Sequence, residues 1–174
     1  MIDGNWSFGG KIPTHSDFLS HNEPLQLQES LRLTFDSIAI NVALKKEWNN
    51  AYRDMSVWCF NLPVQVTLCG DYCGCIIASY DAVGRCYPFY VFSPGLFHPS
   101  KDNKLIRKVY RLMQQLKDGE LTLEEFTDEL NRLPIPSQTK EGDISAYWWN
   151  DSGSSFSSIS WPNSEQIRLM VGVL

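Results

Sequence analysis

Apolar residues at Leu27, Leu31, Phe35, Ile38 and Val42 recur at intervals of three or four, which lines them along one stripe of a helix. The pattern predicts a helix from residue 24 to about residue 46 or 48, with Pro24 tolerated in its first turn. Ahead of it, Trp6-Ser-Phe-Gly-Gly10 reads as a short strand, and residues 9–22, interrupted by Pro13 and polar side chains, as an ordered loop. From residue 56 to 92 the period shortens: residues 57–62, 64–68, 74–79 and 87–92 are β-rich runs separated by Pro, Gly or Asp, the signature of an antiparallel meander. Two helices follow, at about 101–117 with Leu105, Val109, Leu112 and Leu116 on one face, and at about 123–132. The second has a capping box in Thr122 and Glu125, a hydrophobic staple in Leu121 and Phe126, and Pro134 beyond its end. In the tail, residues 156–161 and 166–173 read as strands and the Gly/Ser-rich residues 151–155 as a hairpin turn. Strands in the middle and at the end, with helices before and between, describe an α/β layered domain whose sheet is mostly antiparallel.

Length and composition add limits to this outline. With 174 residues, 43% of them hydrophobic and 13% aromatic, the chain has ample material for a core and is expected to form one domain over residues 1–174. Fifteen Lys and Arg against twenty Asp and Glu give a net charge of -5, and the cations read as scattered, which argues against nucleic acid and anionic membrane as partners. The apolar runs are strand-sized, well below the roughly 18 residues of a membrane span. Five cysteines crowd into the middle of the chain, and no basic-then-apolar leader opens it, the pattern of a reduced cytoplasmic protein.

No P-loop, GxGxxG, HExxH or GxSxG motif occurs, so a non-enzymatic protein without a cofactor is expected. The competing reading is a small metal-binding protein or hydrolase. Cys69, Cys73 and Cys75, with Cys86, could offer thiolates to zinc, although their spacing matches no common zinc module and Cys73 and Cys75 would share one face of a strand as small buried side chains. His15, Asp17 and His21 could orient an imidazole or hold a divalent ion, and Asp17 could equally close an Asx-turn. Asp81-Ala-Val-Gly84 suits a type I turn that aims Arg85 at the start of a buried strand, where a buried Arg85 would need several carbonyls or a carboxylate, with Asp17 and Asp81 as candidates. Trp148 and Trp149 cannot both point to one side of a strand, so one of them is a candidate contact at a surface or groove.

Several segments together resemble the TagF, or ImpM, proteins associated with bacterial type VI secretion. Gly10-Lys-Ile-Pro-Thr-His-Ser-Asp-Phe18 is similar to the family's GKLPxxGDF motif, with Ser16 in place of Gly. Trp48-Asn-Asn-Ala-Tyr52 and Val57-Trp-Cys-Phe60 resemble its W-x3-Y and WxF elements, residues 79–89 its SxDxVGRxFPL motif, and Ser145-Ala-Tyr-Trp-Trp149 its SxWW element. The resemblance implies a three-layer α/β/α sandwich and a cytoplasmic accessory protein of a type VI secretion system. It further implies a post-translational repressor tied to the system's forkhead-associated scaffold protein. Lys11, Asp17, Asp81, Gly84 and Arg85 are then expected to hold the motif loops together, with Trp148 and Trp149 as candidate partner contacts.

Overall fold

The computed structural model describes residues 6–98, 100–136 and 145–173. The reading of the amino terminus as free of a leader falls partly on residues 1–5, outside the described residues. In chain order the elements are β1 (Ser7–Gly10), β2 (Leu19–His21), α1 (Leu25–Leu44), α2 (Lys46–Arg53), β3 (Trp58–Leu62), α3 (Val64–Thr67), β4 (Tyr72–Ile77), β5 (Phe89–Pro94), α4 (Asn103–Lys117), α5 (Leu123–Asn131), β6 (Ala146–Asn150), β7 (Ser155–Ser158) and α6 (Ser164–Val171).

The structure departs from the sequence expectation at four places in particular. Leu19–His21, expected in a loop, forms an edge strand on β1, with Phe8 opposite His21. The long helix breaks at Lys45, whose extended backbone (φ -125°, ψ 119°) ends α1 and starts α2. Residues 64–68, expected as a strand, make one helical turn after Pro63, closed by Leu68 in the left-handed region at φ 64°. Residues 166–173, also expected as a strand, lie largely in α6, where Asn163 and Gln166 form a reciprocal capping box and Ile167, Met170 and Val171 are buried at helical spacing.

All seven strands join one sheet in the order β2-β1-β5-β4-β3-β6-β7, and every neighbouring pair is antiparallel. Successive strand side chains face opposite ways, so the sheet divides its apolar residues between two clusters. Trp58, Phe60, Ile76, Tyr90, Phe92 and Trp148 pack with Leu31 and Phe35 of α1, Trp48 of α2 and Met170 of α6. Cys59, Cys75, Phe89 and Val91 pack with Val109 and Met113 of α4 and Phe126 of α5. Among the described residues no helix is long and apolar enough to cross a membrane.

Candidate functional site

The turn after β4 organises one corner of the molecule around Asp81. Its carboxylate is fully shielded and accepts four hydrogen bonds: at Oδ1 from the N–H groups of Val83 (3.1 Å) and Arg85 (2.9 Å), and at Oδ2 from Lys11 Nζ (3.0 Å) and Arg85 Nε (2.7 Å). Burial pushes the Asp81 carboxyl up, but the Arg85 N–H, Lys11 and the Arg85 guanidinium outweigh it and hold the group well below the usual carboxylate range. Gly84 closes the turn with its N–H on the Asp81 carbonyl (2.9 Å) and sits at φ 87°, where glycine meets no Cβ penalty.

The amino-terminal motif loop is tied to this turn twice more. Arg85 Nη2 donates to the Ser16 carbonyl (2.8 Å), and the Ala82 N–H donates to that of His15 (2.9 Å). The only non-glycine residues with positive φ among those described are Asn22 and Leu68, so Ser16 occupies an ordinary conformation. The α2 pair Trp48 and Tyr52 faces inward, and Tyr52 Oη donates to the Ser79 carbonyl (2.9 Å) while accepting from the Ser79 N–H (2.9 Å). Thus the GK…DF, W-x3-Y and SxDxVGR segments meet in space, through Lys11, Tyr52 and Asp81.

Asp17 stands outside this network. It is exposed, and among the described residues Arg85 pairs with Asp81 instead. Nor is Arg85 buried as its position suggested: its side chain is 63% exposed and only the inner Nε reaches the shielded carboxylate. His15 lies beside Thr14 (Nδ1 to Oγ1 2.9 Å), whereas His21 stacks on Phe8 with ring centroids 4.7 Å apart, and burial pulls its imidazole pKa down. Cys69 packs against the first apolar cluster, whereas Cys73 and Cys75 lie in the second, with Cys75 Sγ 3.3 Å from Cys59 Sγ. No group of three or more His, Cys, Asp or Glu able to hold a metal ion occurs among the described residues.

The two tryptophans divide as alternation requires. Trp148 is fully buried between Phe60 and Phe156, so it is a core residue and not the contact its position suggested. Trp149 points the other way, half-buried, stacked on Tyr147, in a groove shared with Ile106, Arg107 and Tyr110 of α4. Beside it runs a larger groove of about 670 Å³ lined by Lys101, Lys104, Arg107, Lys108 and Arg111. These are a third of the fifteen Lys and Arg, all exposed, and their spacing places most of them on one face of α4, which corrects the reading of scattered cations. A second feature that composition hides is Glu23. It accepts from Tyr90 Oη (3.0 Å), and burial pushes its carboxyl up to about 7 against the Tyr90 and Ser20 hydrogen bonds and nearby Arg32.

The TagF N-terminal domain, Type VI secretion system-associated, matches residues 7–133. The chain belongs to the TagF family. The match contains Lys11, Tyr52, Ser79, Asp81 and Arg85, so the polar corner lies inside the TagF domain, whereas Trp149 lies beyond its matched end. A crystal structure of PA0076 from Pseudomonas aeruginosa PAO1 superposes on this TagF chain with a TM-score of 0.80, 20% identity, and coverage of 96% of this chain and 94% of that one. At that identity the likeness shows the fold. No curated protein matches the sequence.

Proposed function

We propose that this TagF chain is a non-enzymatic regulator of a type VI secretion system. It acts in the cytoplasm after translation, repressing the system by binding its forkhead-associated scaffold component. Family membership supports the link to secretion. The Asp81 corner supports a structural role for the motif polar groups, since Lys11, Asp81 and Arg85 satisfy one another. The observation that carries the binding reading is the surface where the α4 cations adjoin half-buried Trp149 and Tyr110, because Arg and aromatic side chains are the groups enriched at protein interfaces. Two apolar clusters, each closed by its own helices, likewise support a three-layer α/β/α sandwich. Calorimetric titration with the cognate forkhead-associated protein tests the function. Saturable binding, weakened at least tenfold in an Arg107→Glu, Arg111→Glu variant, is the expected result. Absence of binding by the parent chain overturns the proposed partner.

A further inference from the structure

Ser79 begins the SxDxVGR segment, yet its side chain takes no part in the Asp81 network. The residue is 1% exposed, Tyr52 engages both its backbone groups, and its hydroxyl has no hydrogen-bond partner among the described residues. A buried hydroxyl left unpaired is costly and calls for an explanation. Ser79 lines a pocket of about 380 Å³ at the end of β4, together with Tyr80, Gly84, Cys86, Arg53 from the last turn of α2, and Lys117 from the last turn of α4.

Two cations therefore enter the pocket from two different helices, and neither forms an ion pair among the described residues. Lys117 is half-buried, and burial pulls its ammonium pKa down, although neighbouring Asp118 favours the charge. Of the nearby carboxylates, Asp81 pairs with Lys11 and Arg85, whereas Asp118, hydrogen-bonded to Gln114, keeps its charge on the Lys117 side without forming an ion pair among the described residues. Burial also pushes the Cys86 thiol up, so it adds no negative charge at neutral pH. Two unpaired cations beside a hydroxyl donor suit an anion, and they match a dianion better than a single carboxylate. Tyr80, 44% exposed at the rim, offers an aromatic surface to whatever carries that anion.

We propose that this pocket binds the phosphate group of a phosphate monoester. Arg53 and Lys117 neutralise the phosphate, and the Ser79 hydroxyl, turned about its Cα–Cβ bond, donates to one of its oxygens. The site is separate from the α4 surface offered for the scaffold protein, and neither depends on the other.

The test titrates the 174-residue chain with inorganic phosphate, phosphoserine and AMP at constant ionic strength, following amide NMR shifts of residues 79–86. At least one ester is expected to saturate the site more tightly than inorganic phosphate. Phosphoserine binding better than AMP identifies a modified side chain as the source, and the reverse a nucleotide. Arg53→Gln and Lys117→Gln should each weaken binding about tenfold or more, Ser79→Ala by roughly tenfold, and Lys117→Arg by only a few-fold. Circular dichroism verifies that each variant is folded. Shifts reproduced by chloride at equal ionic strength, unchanged binding in a folded Arg53→Gln, Lys117→Gln variant, or no saturation by any of the three probes overturns the site. Inorganic phosphate binding more tightly than both esters overturns the monoester.

Discussion

Asp81 shows how much one carboxylate can organise when its charge is fully matched. Its two oxygens accept from two side-chain cations and two backbone N–H groups, so removing the charge strands Lys11, whose side chain is only 17% exposed. Asp81→Asn should therefore lower stability by about 3 kcal/mol, a fall of roughly 10 °C in melting temperature for a chain of this size. Arg85→Ala should cost less, because that guanidinium is mostly in water. Thermal denaturation of the two variants compares them, and equal losses would refute the asymmetry. The charge contribution is complete above the ordinary Asp pKa of 3.8 and fades as the medium is acidified toward the lower folded value. Glu23 works in the opposite sense. Its carboxyl ionises near 4.5 when unfolded and near 7 when folded, so between those values the native chain alone holds the proton and stability declines as pH rises. Glu23→Gln removes this dependence. Its melting temperature should gain on the parent from pH 5 to pH 8, and a constant difference across that range would disprove the assignment.

At the scale of elements, the sequence was most readable where a helix begins with a complete signal. Thr122 and Glu125 form the reciprocal hydrogen bonds expected of a capping box, 3.2 and 2.8 Å, and α5 starts where they place it. Asn163 and Gln166 carry the same signal in front of α6, both bonds at 2.9 Å. The β-propensity of residues 166–173 masks that cap, and the buried Ile167, Met170 and Val171 show the helical period instead. The α3 turn was less readable, since Val-Gln-Val-Thr favours a strand, whereas the helical turn is held by the Pro63 carbonyl, which accepts from the Val66 N–H, and by Asp71, which accepts from the Val64 N–H at 2.7 Å. Asn163→Ala should cost about 1 kcal/mol and loosen α6, which holds the Met170 carbonyl on Trp58 Nε1 at 3.0 Å. Faster hydrogen exchange across α6 than across α5 would show the loss to be local. In the candidate site, the Asp81–Arg85 contact was legible from turn chemistry four residues apart, whereas Lys11, seventy residues from Asp81, entered only through the family motif. The pocket at Ser79 and the cations of α4 depend on which helix ends and faces converge, which one-dimensional spacing does not record.

For the whole molecule, charge is unevenly placed. A chain of net charge -5 gathers five cations in the groove along α4, so its field has a direction even though its total is acidic. Reversing Lys104, Arg107 and Arg111 to Glu should leave the melting temperature within about 2 °C, because these side chains are exposed. The same variant should slow association with an acidic partner and reverse its salt dependence, because attraction becomes repulsion that salt screens, as stopped-flow measurements between roughly 50 and 300 mM NaCl would reveal. An unchanged rate would remove α4 from the encounter. The order of strands has a consequence for synthesis. β1 leads the described chain but is flanked in the sheet by β2 and β5, and Asp81 reaches back to Lys11 across seventy residues. At ribosomal speeds those residues take roughly four to fourteen seconds to emerge, during which the nascent amino-terminal loop has neither its ion pair nor its central neighbour. The polar corner is therefore a late lock, closed only once the middle of the polypeptide has left the ribosome.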